Sequence, residues 1–315
     1  MECPYDSKLI KLPNKCQCEL LFGTKEHHEN HISNNNNECL KITGKLMITL
    51  PICLKTFINI KSLIFPGNNI ESIKYLPPQL EYLGVGDNNI SVLDKTVFPP
   101  TLKVIQISNN KLNEIDIHNT NIECLHASRN NIHTISIGEK LELLNVAYNP
   151  ISWINFNGNQ KLSSVILNSC NLTYLFDFPQ SVTYLNISCN NISSLNNLPR
   201  SIEKLNCTSN NISKFDNIPD KLYELLISSN KLTELIHPKN IYMKRLYCCS
   251  NKITKISING AVDELTCYDN PIEIIDVNKQ CAVHHDDNVS HNNNNNNNQN
   301  VLSYIDENDV IYLFI

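Results

Sequence analysis

One spacing rule recurs along about two thirds of this 315-residue chain and leaves little choice of architecture. The frame is L-x-x-L-x-L-x-x-N-x-L, followed three places later by another apolar residue. Leu80, Leu83, Val85, Asn88, Ile90 and Leu93 fill one copy, and Leu102, Ile105, Ile107, Asn110, Leu112 and Ile115 fill the next. Further copies begin at Ile60, Ile122, Leu141, Leu162, Val182, Ile202, Leu222, Met243 and Val262, which makes eleven units with starts 19 to 22 residues apart. A unit this short cannot bury its apolar face alone, so the units must stack and share one long core.

Within each unit, alternating apolar residues such as Leu83 and Val85 suit a short strand with one buried face. Roughly a dozen residues remain for the return path, too few for a helix with a turn at each end. Five units enter the next through Pro, at Leu76-Pro77-Pro78, Phe98-Pro99-Pro100, Phe178-Pro179, Leu198-Pro199 and Ile218-Pro219. Proline demands an extended or polyproline-like return there. Other units carry I-x-I instead, at Ile115-Asp116-Ile117, Ile135-Ser136-Ile137 and Ile256-Ser257-Ile258, a second way to place apolar bulk on the convex wall.

The polar column of the frame reads Asn68, Asn88, Asn110, Asn130, Asn149, Cys170, Asn190, Asn210, Asn230, Asn251 and Asn270. Where the chain leaves its strand, backbone groups are stranded inside the turn. A buried amide can both donate and accept, so this column is expected to bridge neighbouring loops.

These residues resemble the leucine-rich repeat family, in its shortest, roughly 20-residue repeat class, known from bacterial effectors and viral or protist proteins. The resemblance implies a repeat solenoid, α/β by family convention but mostly β here. Its shape would be a curved right-handed horseshoe with a parallel sheet of about eleven strands and an extended convex side. It further implies that partners dock on the concave face. The organisation expected is an N-terminal cap region with an Asn/His-rich insertion at 1–58, the repeat domain at 59–278, an Asn-rich low-complexity linker at 279–300, and an apolar tail at 301–315. An open solenoid end exposes its core and a strand edge. Leu40 to Ile58 is therefore expected to cap the front and the tail to fold over the rear, with a partner-binding strand as the tail's alternative role.

Composition narrows the function. A net charge of −5 excludes a broadly basic nucleic-acid binder, and no run of apolar residues is long enough for a transmembrane helix. The N-terminal sequence offers no apolar stretch with a small-residue cleavage site, so no secretory signal is expected. About fifty asparagines point to an AT-rich genome as one source of the bias. No P-loop, G-x-S-x-G or H-E-x-x-H is present, so neither an enzyme nor a cofactor is expected. Of seven N-x-S/T sequons, which include Asn171, Asn186, Asn191, Asn206 and Asn211, several follow from the repeated N-N-I-S pattern.

Of thirteen cysteines, Cys207, Cys248 and Cys267 occupy core positions, Cys170 stands in the Asn column, and Cys124, Cys189 and Cys249 are expected to be exposed. Exposed thiols favour a reducing, intracellular compartment. For Cys3, Cys16, Cys18 and Cys39 the readings are unpaired thiols, a disulfide front cap, or a zinc set with His27 and His31. The close C-x-C spacing argues against zinc.

The outward strand columns run Ser62, Tyr82, Val104, Cys124, Leu143, Ser164, Tyr184, Lys204, Glu224, Arg245, Glu264 and Ile64, Gly84, Gln106, His126, Asn145, Ile166, Asn186, Asn206, Leu226, Tyr247, Thr266. Aromatic and arginine side chains anchor most interfaces. Tyr82, His126, Arg129, Tyr148, Tyr184, Lys204, Arg245, Tyr247 and Tyr268 are therefore the candidate contacts for a protein partner. No basic stripe with interleaved aromatics suggests nucleic acid. The expected function is an intracellular, non-enzymatic interaction scaffold. The rival is an extracellular or particle-surface recognition module with a disulfide cap and glycans.

Overall fold

The computed structural model describes residues 38–285, apart from 45–46, 51, 217 and 278–280. Cys3, Cys16, Cys18, His27, His31, the Asn292 to Asn298 run and the 301–315 tail lie outside the described residues. The chain winds as a parallel solenoid whose coils each contribute one short strand to a continuous sheet. Ten three-residue strands run from Cys39–Lys41 to Glu224–Leu226. The C-terminal parts of Glu234–Tyr247 and Lys255–Thr266 follow, and Ala282–His284 closes the row. Helix among the described residues is limited to short 3-10 turns such as Lys95–Val97.

Register follows the frame. Leu63 pairs with Leu83, Leu83 with Ile105, Ile105 with Leu125, and so on to Leu265 with Val283. These central residues point into the core, and Leu63, Leu83, Ile105 and Leu125 are fully buried. The sheet runs one strand further at each end than the eleven full units. Leu40 and Val283 take the strand position there, yet Asn37 and Gln280 stand where the frame has its first leucine. The truncated units were invisible to a pattern that requires all its apolar positions.

The polar column does what a buried amide must. Asn210 Nδ2 donates to Ile187 O (3.0 Å) one coil back and to Cys207 O (3.1 Å) and Thr208 O (3.3 Å) in its own coil. Its Oδ1 accepts from Ile192 N at 2.9 Å. The same pattern recurs from Asn68, Asn88, Asn110, Asn130 and Asn149 through Asn190, Asn230, Asn251 and Asn270. Cys170 keeps only the donor half, with Sγ 3.3 Å from Val146 O. It offers no oxygen to Ile151 N, which turns to Asn149 O at 2.9 Å instead. Ile272 N, beyond the last described rung, makes the same substitution onto Asn270 O.

Immediately before each of these rungs stands one residue of positive φ: Gly67, Asp87, Asn109, Arg129, Tyr148, Ser169, Cys189, Ser209, Ser229, Ser250 and Asp269. This left-handed residue turns the chain so that the next side chain points inward. Only Gly67 escapes the Cβ penalty of that conformation.

The convex wall has two constructions, and they come in blocks. Where Pro enters, its carbonyl accepts from the N–H three residues on, as in Leu80 N to Pro77 O (3.2 Å) and Leu222 N to Pro219 O (3.0 Å), and no strand forms. Where I-x-I stands, the return is a parallel strand. Glu114–Asp116, Thr134–Ser136 and Trp153–Asn155 make one three-stranded sheet. The first parts of Glu234–Tyr247 and Lys255–Thr266 pair with Ile274–Asp276 in another such array. A convex strand needs a neighbouring strand to satisfy its backbone, so strand-type coils cluster. Three of these six returns escaped the I-x-I pattern because their inward pairs are Ile154 with Phe156, Leu235 with His237, and Ile275 with Val277.

The edges of the first convex sheet are covered. Lys95, in its 3-10 turn, bonds Asp116 (2.6 Å) and His118 O (3.2 Å) across the front edge strand. At the rear edge the Tyr174 hydroxyl bonds Ser152 O (3.3 Å), and rings of Tyr174, Phe176, Phe178 and Phe156 pack with centroids 5.6 to 6.1 Å apart. This aromatic plug sits where the wall changes from strand to proline construction.

Candidate functional site: the concave face

The outward residues of the main strands form a continuous floor in strict register. Tyr184 pairs with Lys204, Lys204 with Glu224, Glu224 with Arg245, and Arg245 with Glu264. Two rows on, Gln106, His126, Asn145, Ile166, Asn186, Asn206, Leu226, Tyr247 and Thr266 line up likewise.

The rear half is polar and internally neutralised. Arg245 Nη2 lies 2.8 Å from Glu224 Oε2, whose residue is only 7% exposed, and the Tyr247 hydroxyl donates to Glu264 at 2.7 Å. Burial pushes the Tyr247 phenol up to about 12, and the Glu264 carboxylate adds to that rise. Lys204 Nζ lies 5.8 Å from the centre of the Tyr223 ring. Burial also raises the Tyr184 phenol, while contact with the Asn186 amide opposes the rise. Among the described residues, Arg245 Nε is buried without a hydrogen-bond partner.

The front half is apolar and amide-lined. Val104, Cys124 and Leu143 lie side by side, and the Tyr82 hydroxyl donates to Gln106 Oε1. Cys124 is 7% exposed rather than solvent-facing, because its small side chain lies between Val104 and Leu143 on adjacent strands. Burial raises its thiol to about 11 and lowers the His126 imidazole below its usual value.

The candidate contacts therefore fall into separate groups. Tyr82 and His126 lie in the front floor, and Tyr184, Lys204, Arg245 and Tyr247 in the rear floor. Arg129 and Tyr148 are the left-handed turn residues of adjacent coils, so they sit on the rim, stacked with the guanidinium 4.7 Å from the ring centre. Tyr268 is also at the strand exit and 43% exposed. The outward columns held, but the candidate contacts did not include, Glu224, whose burial only the register with Arg245 reveals, and four amides: Gln106, Asn145, Asn186 and Asn206. The signal for three of these was Asn two residues ahead of Ala147, Ser188 and Thr208, an Asx-turn spacing at the strand exit.

Among the described residues no group of His, Cys, Asp and Glu could hold a metal ion, and no helix is long and apolar enough to cross a membrane.

No family model and no curated protein matches the chain. Solved structures do. YopM from Yersinia enterocolitica is 25% identical with a TM-score of 0.59, over 80% of this chain and 59% of that one. YopM from Yersinia pestis, a leucine-rich effector protein, is 24% identical with a TM-score of 0.58, over 79% and 83%. The leucine-rich repeat domain of APL1B is 19% identical with a TM-score of 0.53, over 82% and 86%. The chain thus spans less than two thirds of the first of these and most of the other two.

Proposed function

We propose, on the premise that this chain is a leucine-rich-repeat protein by frame and by fold, that its concave face binds another protein and that it works as a non-enzymatic interaction scaffold. The supporting observation is the floor itself: a long registered surface of mixed polar and apolar side chains built on a rigid sheet. A chain of the LRIM1/APL1C complex shares the fold at a TM-score of 0.51 and was solved bound to its partner, in keeping with such a use. Cys124 and His126 share a strand and a face, but a thiol raised to about 11 is the reverse of an activated nucleophile. The exposed thiol of Cys189 and the partly exposed thiol of Cys281, neither in a disulfide, support an intracellular, reducing location over the extracellular rival.

The test is affinity capture with the wild type and a blocked variant, Ser164→Arg with Leu226→Arg. Both side chains are half-buried on the floor, and neither is held by a side-chain hydrogen bond among the described residues. Arg245 is left intact because its removal would strand the buried Glu224 carboxylate. A protein held by the wild type and lost by the folded variant supports the reading. Equal capture moves the interface to the rim, the ends or the convex wall. A native thiol count well below thirteen would favour the extracellular rival.

A further inference from the structure

The four amides of the third strand position share one polarity. Gln106 Oε1 accepts from the Tyr82 hydroxyl, and Asn145 Oδ1 accepts from Ala147 N at 3.2 Å. Asn186 Oδ1 accepts from Ser188 N (3.1 Å) and Ser188 Oγ (2.8 Å), and Asn206 Oδ1 accepts from Thr208 N at 3.1 Å. In each case the chain's own donors hold the amide oxygen, which fixes the orientation of the group. The NH2 group is what remains for the open face, with the Asn186 amide also meeting the Tyr184 hydroxyl. The floor in this stretch therefore presents a row of fixed donors whose one charged neighbour is Lys204, two residues before Asn206 on the same strand. Its other side chains are Val104, Cys124, Leu143, Ser164, Ile166, Tyr184, a Lys204 that lies over the Tyr223 ring, and a His126 that burial biases to the neutral form.

That surface has a definite complement. Resting on the concave-face reading above, we infer that the front and middle of the floor bind an extended protein segment through its hydrogen-bond acceptors. Carbonyl oxygens of the segment take the amide protons of Gln106, Asn145, Asn186 and Asn206, and an apolar side chain rests on Leu143 and Ile166. A nucleic acid is a poor complement, because Arg245 is paired with Glu224 and Lys204 lies over Tyr223. A glycan stacks on open ring faces, whereas Tyr82 is buried and Tyr184 half-buried with its hydroxyl against Asn186. An extended polypeptide offers carbonyls at regular intervals and alternates them with side chains.

The experiment uses a display library of random linear peptides selected on the full chain. Gln106→Glu, Asn145→Asp, Asn186→Asp and Asn206→Asp each keep the oxygen that the chain holds and replace the outward NH2 by a carboxylate oxygen. Asn191→Asp, on an exposed position off the floor, controls for added charge. Selected peptides are expected to bind the wild type and to weaken about fivefold or more with each floor variant, while Asn191→Asp leaves binding unchanged. Thermal melts confirm that the variants fold. Peptides that the Ser164→Arg, Leu226→Arg variant loses but the four amide variants retain overturn this inference and leave the concave-face reading standing. Peptides indifferent to both sets overturn both. A selection that enriches no peptide, or a glycan array whose hits the amide variants abolish, removes the extended polypeptide as the occupant.

Discussion

At the scale of single residues, stability here is a matter of which backbone groups find a partner. Cys170 shows the point by default: Ile151 N–H, deprived of an amide oxygen, bends back onto Asn149 O. Cys170→Asn should restore the bridge and raise stability by about 1 kcal/mol in urea unfolding; no gain would mean the bent-back bond is as good. Asn210→Ala, which leaves the Ile192 N–H without its acceptor and takes one of two donors from each of three carbonyls, should lower stability by about 1–3 kcal/mol. Asn211→Ala, next to it and half-buried, should cost much less, and equal losses would contradict the assigned register. Tyr247 adds to an alkaline pH dependence that the buried thiols of Cys124 and Cys170 share. The folded pKa of Tyr247, about 12, lies above the ordinary phenol value near 10. Its contribution is therefore fully present below about pH 10 and is lost as pH rises toward 12. Melts across that range should fall more steeply for the wild type than for Tyr247→Phe, and parallel curves would show that the phenol's burial does not matter.

At the scale of elements, the informative unit is the convex return. Ser136 lies in the central strand of the first convex sheet, with neighbours on both sides. Ser136→Pro should cost about 3 kcal/mol or more by breaking that ladder. Ser194→Pro, in a coil whose return is extended without a strand, should cost under about 1 kcal/mol; similar losses would mean the two walls are mechanically alike. Gly260 shows how tightly the second array is built. It joins the convex and concave parts of one long strand at φ +143, where a Cβ would collide with the Ile241 carbonyl. Gly260→Ala should accordingly prevent that corner from closing, seen as lost amide-exchange protection over Lys255–Thr266. Intact protection would show that the corner tolerates a side chain.

At the scale of the molecule, nearest-neighbour coils share the load, so a solenoid can open at its weakest junction. The change from strand wall to proline wall after Trp153–Asn155 is such a junction, and Phe178 is its centre, touching both Phe156 and Phe176. Phe178→Ala should cost about 3–5 kcal/mol and split the unfolding curve into two transitions as the blocks on either side uncouple. A single cooperative transition would show that the main sheet alone couples them. The same blockwise view applies to binding. The donor row and the charge-paired rear meet at the strands Tyr184–Asn186 and Lys204–Asn206, so a partner that follows the donors ends beside the Arg245–Glu224 pair.

What the sequence determined by itself was everything periodic. Apolar spacing set the strand positions, the register and the shared core, and the Asn column placed an amide at every turn, because these depend only on which residue recurs where. Proline likewise announced a return without a strand, since its ring fixes φ and removes the N–H that a ladder needs. The rest depended on contacts between coils. Whether a return became a strand rested on its neighbours, which is why Leu235 with His237 serves as well as Ile115 with Ile117. Cys124 and Glu224 are buried by residues a full coil away, and Arg129 and Tyr148 were moved from floor to rim by one left-handed turn residue per coil. The donor polarity of the floor amides came last of all: residue type supplies an amide, but only the folded backbone decides which end of it is left for a partner.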